Sequence, residues 1–216
     1  MWILALCLAM FPAISGAVLL EPESGTAFPE QIQIEDQLLE LTGADIRRWG
    51  GVIVYAIAHY AAKDNNVTSS NTEEMLSQYI KMEIPKAIVL KGTRRVPLRA
   101  IRWSWEDSLS RTGYQGQYLD EFVSAFTKRF ERDSTLLLLA IPDNTLKAIQ
   151  DDTVLGSWQD ADLITAVWQV SLGNESEVVT RENLVQRNHL KPALESAQFS
   201  AVSPQVTVAP DDASYR

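Results

Sequence analysis

Two adjacent arginines, Arg47 and Arg48, stand out in the 216-residue chain as side chains suited to an anionic group. An arginine keeps its charge and presents its donors in one plane, so it suits either a carboxylate or a developing enolate. Further along, Tyr55 and His59 stand in phase within an apolar run, so both would face one side of a strand. The residue types alone leave the choice between binding and catalysis open.

Each of these residues also has an ordinary structural interpretation. Arg47 could be a solvated arginine of a turn, and Tyr55 a core residue whose hydroxyl bonds to the backbone. A lone strand histidine is more often structural or exposed than ligand-binding. A second group of arginines most simply forms a solvated face paired with the chain's acids, with an anion site as the alternative. It comprises Arg94, Arg95, Arg99 and Arg102.

The composition argues against several kinds of cofactor and partner. The only cysteine is Cys7, and the only histidines are His59 and His189, far apart in the chain. These are too few for a cysteine-based zinc site or an iron–sulfur cluster, so we expect neither a metal nor another cofactor. The net charge of −9 argues against a nucleic-acid partner, because phosphate binding requires a basic face.

The first residues have the pattern of an export signal. Residues 2–11 form an apolar run, which is followed by Pro12 and by small residues that end at Ala17. The run is shorter than the ~20 residues that span a bilayer. We therefore expect residues 1–17 to be a signal peptide and the mature protein to be periplasmic or secreted, with no stable membrane span. The alternative is a buried N-terminal strand or helix.

The rest of the chain is expected to hold one domain. The hydrophobic content of 46% suits a single substantial core, which we assign to residues 30–190. Residues 18–29 are interpreted as an N-terminal linker. Residues 191–216 have no sustained periodicity and end in polar residues, which is typical of a disordered tail.

Short β-branched and aromatic runs predict strands within residues 31–62, with breaks at Gly43 and at the pair Gly50 and Gly51. Residues 87–90 are typical of a buried strand. Residues 135–155 contain three further runs separated by turn residues, and these predict an antiparallel meander.

Helical periodicity appears in the segments between those strands. Asn71 is placed to cap one helix, and Pro97 suits the first position of another. The clearest pattern covers residues 118–130, where aromatic residues recur every four positions and predict a helix with an apolar stripe facing the core. That stripe is formed by Tyr118, Phe122, Phe126 and Phe130. A last helix covers residues 160–172. Elements that do not strictly alternate favour an α+β domain with helices on one face of an antiparallel sheet.

Several segments follow one another in a familiar order. Leu-Thr-Gly-Ala-Asp-Ile-Arg at residues 41–47 precedes Val-Tyr-Ala-Ile-Ala-His-Tyr at residues 54–60. Residues 85–90, before a tryptophan-containing helix, and residues 166–173 complete the set. Together these segments resemble the chalcone isomerase-like family over residues 30–187, with its glycine-rich turn that carries an arginine and its tyrosine-containing strand. The closest likeness is to the branch that binds fatty acids without catalysis.

The resemblance implies an α+β fold: an open-faced antiparallel β-sandwich with helices packed on the large sheet and a cleft between them. In members that convert a chalcone to a flavanone, an arginine of the glycine-rich turn stabilises negative charge, and a threonine on the next strand polarises the carbonyl. Arg47 matches that arginine, while Tyr55 replaces the threonine. Asp45 and Arg48 stand where the family has glycines, so the choice between Arg47 and Arg48 stays open.

These matches favour a non-catalytic protein that binds a fatty acid or a similar amphipathic carboxylate. Its head would lie on Arg47 and Tyr55, with Arg48 and His59 completing the candidate ligand-binding set, and its tail along the cleft. No residue is assigned a catalytic role, because counterparts of the family's later catalytic tyrosine and asparagine are missing. The alternative is an intramolecular lyase of the chalcone isomerase type, and a third hypothesis is an interaction module without a ligand.

Overall fold

An antiparallel sheet with its strands in chain order, β3 to β9, forms the centre of the computed structural model, which describes residues 17–63, 67, 69, 71–174 and 178–187. The strands are β1 (Val18–Leu20), β2 (Ala27–Pro29), β3 (Gln31–Ile34), β4 (Gln37–Trp49), β5 (Val52–Ala62), β6 (Lys86–Gly92), β7 (Thr135–Ile141), β8 (Thr145–Gln150) and β9 (Thr153–Gln159). The helices are α1 (Thr72–Lys81), α2 (Leu98–Arg111), α3 (Leu119–Ala125), α4 (Ala161–Leu172) and α5 (Val178–Asn183). The expected α+β class with an antiparallel sheet is confirmed.

The alternation of side chains along β5 divides the apolar residues between two cores. Ile57 and Ala61 point to the face that the helices cover, whereas Ala58 and Tyr60 point to the opposite face. The helix face carries the larger core, which includes Trp158 and Trp168. Because both faces are covered, β5 and β6 are apolar along nearly their whole length rather than alternating with polar residues.

The β1–β2 hairpin covers the face away from the helices, which we call the hairpin face. Phe28 is fully buried there, and the Lys91 ammonium donates to the Ala27 carbonyl at 2.7 Å. Residues 18–29, interpreted from the sequence as a linker, contain the two strands of this hairpin. The single aromatic side chain of Phe28 gives the segment a place in the core, although its strands are only three residues long.

The side chains of Asn71 and Asp160 cap the N-termini of two helices. The Asn71 side chain accepts from the backbone N–H groups of Glu73 and Glu74 at the start of α1. Asp160 accepts from the Leu163 N–H at 2.9 Å at the start of α4. Within the described part of the chain, none of the helices has the length and apolar character needed to span a bilayer.

The helix expected over residues 118–130 ends at Ala125. Phe126 has extended backbone angles, and Phe130 forms an isolated bridge with Val96. The Arg102 guanidinium donates to the Phe126 carbonyl at 2.8 Å and to the Ser124 carbonyl at 3.0 Å, so the end of the helix is held by a side chain. Phe122, Phe126 and Phe130 are nevertheless buried in the helix-face core, and the half-buried Tyr118 packs against it.

Gly43 does not end a strand, although the sequence predicted a break there. It lies inside β4 at a register shift, and β4 continues to Trp49. A side chain at this position would lie 2.0 Å from the Asn183 carbonyl oxygen, so the glycine allows α5 to approach the strand. Gly50 and Gly51 do form the predicted turn, and both have positive φ angles.

Candidate functional site

Arg47 and Tyr55 lie directly opposite each other on β4 and β5. Opposed residues of an antiparallel pair project to the same face, with Cβ atoms roughly 5 Å apart. Tyr55 packs against the helix-face core, so both side chains belong to the helix side of the sheet. Both are half-buried. The structure therefore brings the two leading candidates together on one surface.

Arg48 serves the opposite face. A register shift separates Arg47 from Arg48, so that Arg48 pairs with Ile53, which packs in the hairpin-face core. The Arg48 guanidinium forms an ion pair with Glu23 of the β1–β2 hairpin and donates to the Gly51 carbonyl at 3.4 Å. Because consecutive residues of a strand point to opposite faces, β4 separates the two adjacent arginines, and the register shift on β5 places Ile53 opposite Arg48.

The row that begins with Arg47 and Tyr55 continues to Gly92 on β6. A side chain on Gly92 would lie 2.1 Å from the Glu131 carbonyl oxygen and 3.3 Å from the Phe130 ring. The missing side chain therefore lets the segment around Phe130 cross close over β6 beside Tyr55. An aromatic residue forms the wall next to the two donors.

The middle of the neighbouring row on the helix face is apolar. Ile57, Leu90 and Leu136 follow one another across β5, β6 and β7, and each is buried. Trp105 and Phe126 stack above this region of the core with their ring centres 6.0 Å apart. Polar donors at the end of the strands thus adjoin an apolar stretch of β5, β6 and β7, which is the order of groups in an amphipathic ligand. The row that contains this stretch ends at Asp45 on β4 and at Gln150 on β8.

His59 lies deeper in the helix-face core and is fully buried. Its Nε2 atom accepts the Trp168 indole N–H at 3.1 Å, and its Nδ1 atom is 2.7 Å from the Thr42 hydroxyl. The indole can only donate, so Nε2 carries no proton and Nδ1–H donates to Thr42. Burial, together with the charge of Lys86, lowers the pKa of His59 to about 3. Both ring nitrogens therefore have protein partners.

Lys86 is a buried cation that the sequence reasoning passed over. Its ammonium donates to the carbonyls of Tyr79, Ile80 and Met82 at 2.7 to 3.1 Å, and it lies 4.9 Å from the centre of the Trp168 ring. It thus caps the C-terminal end of α1, where a positive charge is favourable. Burial lowers the pKa of Lys86 to about 7. A lysine beginning the apolar run of β6 was the available signal.

The arginine group of the sequence analysis divides in two. Arg102 holds the end of α3, as described above, and so has a structural role. Arg94, Arg95 and Arg99 are exposed. Among the described residues, no cluster of three or more histidine, cysteine, aspartate or glutamate side chains is arranged to hold a metal ion.

A cavity of about 660 Å³ opens elsewhere, between the β1–β2 hairpin, the edge of β4 and α5. Its lining includes the carboxylates of Glu21, Glu30 and Asp45 beside Leu19 and Leu41, and none of the four candidate residues lines it. Carboxylates repel a carboxylate ligand, so the charge of this cavity has the wrong sign for one. The row of Arg47 and Tyr55 is therefore the better site for an anion.

The comparisons with known proteins agree with this architecture. A model of the family described as chalcone isomerase-like matches residues 22–179, which is most of the chain. A fatty-acid binding protein of Arabidopsis thaliana has a similar crystal structure, with a TM-score of 0.68 and 20% sequence identity over 81% of this chain and 98% of that one. No curated protein matches the sequence.

The structural match extends over nearly the whole of the plant protein, and at this identity it shows a common fold. The curled antiparallel sheet with helices packed on it is the fold predicted from the resemblance. The family match covers the strands that carry Arg47 and Tyr55. The chain belongs to the chalcone isomerase-like family.

Proposed function

We propose that the protein binds a fatty acid or a similar amphipathic carboxylate and does not catalyse a reaction. The observation that carries this proposal is the pairing of Arg47 with Tyr55 on the helix side of the sheet, next to the apolar row of Ile57, Leu90 and Leu136. A guanidinium and a hydroxyl can both donate to one carboxylate. The neighbouring apolar row would hold the start of the acyl chain.

The likeness to a fatty-acid binding protein supports the same ligand class through the fold. The two remaining candidates take supporting positions in this proposal. His59, four residues from Tyr55 along β5, is held by Trp168 and Thr42, and Arg48 is held by Glu23 on the hairpin face. We therefore assign the head group to Arg47 and Tyr55, and we expect Arg48 and His59 to affect binding only through the fold.

Native mass spectrometry of freshly purified protein, with extraction of its lipids, tests the proposal. We expect co-purified acyl chains at a stoichiometry near one per chain. An empty protein that accepts no fatty acid but cyclises a chalcone would instead support the intramolecular lyase. An empty protein without turnover would favour an interaction module and contradict both.

We further propose that the protein is exported, because residues 1–17 have the composition of a signal peptide. Those residues, except Ala17, lie outside the described part of the chain. Cleavage near Val18 would leave β1 complete. N-terminal sequencing of protein from fractionated cells tests this, and a cytoplasmic form that retains Met1 would contradict it.

A further inference from the structure

Exposed tryptophans precede and follow a group of arginines in the chain: Trp49 lies at the turn from β4 to β5, and Trp103 lies on α2. Trp49 is 78% exposed and Trp103 is 60% exposed, although tryptophan is usually well buried. We call this region the tryptophan–arginine surface. It comprises Trp49, Val52, Arg94, Arg95, Arg99 and Trp103.

Hydrogen bonds of Thr93 place the start of the arginine segment beside the turn from β4 to β5. The N–H of Thr93 donates to the Val54 carbonyl at 3.2 Å, and its hydroxyl donates to the Ile53 carbonyl at 3.1 Å. The segment of Arg94 and Arg95 therefore begins beside the β4–β5 turn. The next residues enter α2, where Arg99 and Trp103 are one helical turn apart and share an exposed side.

The arginines of this surface are not paired with carboxylates in the described part of the chain. Arg94, Arg95 and Arg99 are exposed and form no ion pair with any described residue, whereas Arg48, Arg111 and Arg129 each have a carboxylate partner. The first turn of α2 contains no acidic residue, and positive charge at a helix N-terminus is unfavourable. This placement of charge therefore weakens the helix while giving an acidic chain of net charge −9 a local basic region.

We propose that the tryptophan–arginine surface docks on an anionic phospholipid membrane. Tryptophan prefers the boundary between headgroups and acyl chains, because its ring is apolar and its N–H needs a polar partner. Arginines beside it are attracted to anionic headgroups. The turn of Trp49, Gly50, Gly51 and Val52 presents only one indole and one small apolar side chain at its tip, which suits shallow insertion between headgroups.

A membrane fits these features better than a polyanion such as nucleic acid does. Phosphate contacts alone would explain the arginines but not Trp49 and Val52, which are exposed apolar groups at the tip of a hairpin. The strong negative charge of the whole chain also opposes wrapping by a long polyanion. Docking by this end would bring the Arg47 position, two residues from Trp49, close to the bilayer. Docking on the membrane does not require that Arg47 binds a ligand.

Flotation with vesicles of phosphatidylcholine alone, or with one third phosphatidylglycerol, tests the proposal on the full chain. The decisive quantity is the additional binding that the anionic lipid produces, because the apolar N-terminal residues are the same in every variant. Each arginine near an anionic surface contributes about fivefold in partitioning. The variant Arg94→Gln, Arg95→Gln, Arg99→Gln should therefore lose about a hundredfold of this additional binding.

The control variant Lys63→Gln, Lys81→Gln, Arg111→Gln removes the same charge at exposed positions outside this surface and should keep the additional binding. Trp49→Ala should weaken this additional binding to anionic vesicles about tenfold, and Trp49→Phe should weaken it much less. Equal losses in the two triple variants would overturn the proposal, and so would unchanged binding in Trp49→Ala. Binding to duplex DNA as tight as binding to anionic vesicles would also overturn it.

Fatty-acid affinity in the absence of vesicles separates this proposal from the function proposed above. The affinity should be unchanged in the arginine triple variant and in Trp49→Ala, because none of these side chains belongs to the proposed head-group site. Intact fatty-acid affinity without anionic vesicle binding would overturn only the membrane surface. Intact vesicle binding without fatty-acid affinity would overturn only the ligand.

Discussion

Trp168 donates its indole N–H to Nε2 of His59 across 3.1 Å, and this bond fixes the tautomer of the neutral imidazole with its proton on Nδ1. The Nδ1–H group donates a hydrogen bond to the Thr42 hydroxyl oxygen. The hydroxyl in turn donates to the Leu184 carbonyl at 2.7 Å. A chain of donors and acceptors thus runs through the core from α4 across β5 and β4 to the residue that follows α5. Removing one member leaves buried polar groups without partners.

His59→Gln should lower the free energy of unfolding by about 2 kcal/mol at neutral pH, because the amide cannot reproduce both ring contacts. Urea denaturation measures the change. The variant Gln78→Ala, on the surface of α1, provides the control and should stay within about 0.5 kcal/mol of the wild type. An unchanged midpoint in His59→Gln would show that the imidazole bonds contribute nothing to stability.

The stability difference between wild type and His59→Gln should shrink in acid. The folded pKa of about 3 lies below the unfolded value of 6.5, so the unfolded chain binds the proton first as the pH falls. The contribution of the neutral imidazole is complete above the unfolded pKa and is lost as the pH falls toward the folded one, at about 1.4 kcal/mol per pH unit. Between about pH 7 and about pH 5 the difference should close by roughly 2 kcal/mol. A constant difference would contradict the assigned protonation.

Arg47→Ala should weaken fatty-acid binding about ten- to a hundredfold, because a hydrogen bond to a charged group contributes roughly 1.5 to 3 kcal/mol. Tyr55→Phe should weaken binding less, since a neutral donor contributes about half as much. Titration calorimetry with one soluble fatty acid measures both. Arg48→Ala is the matched control, because its side chain lies on the hairpin face. A loss in Arg48→Ala without one in Arg47→Ala would reverse the assignment.

Gly43→Ala should destabilise the fold by about 3 kcal/mol, since the new methyl group would lie 2.0 Å from the Asn183 carbonyl oxygen and push α5 away. Thermal unfolding, with limited proteolysis after residue 173, reports both effects. Gly25→Ala separates steric from conformational costs: it has a positive φ but open space, so about 1 to 2 kcal/mol is expected. Equal costs at the two glycines would show that α5 is not packed closely on β4.

Arg102→Gln should cost about 1 to 2 kcal/mol of stability, because the carbonyls of Ser124 and Phe126 lose a charged donor. Arg99→Gln, three residues earlier on α2, should change stability by less than about 0.5 kcal/mol, since its side chain is exposed. Chemical denaturation of both variants makes the comparison. Equal losses of stability in the two variants would show that Arg102 has no structural role beyond that of the exposed Arg99.

The sequence predicted the strands and helices that have either strong alternation or a capping residue. The β7–β9 meander and the cap at Asn71 are of this kind. It failed at Phe126 and Phe130, which repeat at helical spacing but lie beyond the end of α3, where Phe126 is extended and Phe130 forms a bridge with Val96. The spacing of apolar residues predicts which side chains are buried. The backbone conformation at those residues depends in addition on tertiary contacts.

The candidate site was predicted only in part for a similar reason. The alternation of β5 correctly placed Tyr55 and His59 on one face. It does not predict how deeply each side chain is buried, and His59 is fully buried in the core. Alternation along β4 puts Arg47 and Arg48 on opposite faces, but the residue types do not show which of the two faces the helices. Lys86 was missed because its partners are main-chain carbonyls of α1, which no side-chain pattern reveals.

The bond between Thr42 and the Leu184 carbonyl joins residues 142 positions apart in the chain. Such a contact closes a very long loop, so its entropy cost is met only when the intervening strands have already paired. Docking of α5 against Gly43 should therefore be among the last events of folding. Until that step is complete, the edge of β4 that α5 approaches is open to pairing with another chain.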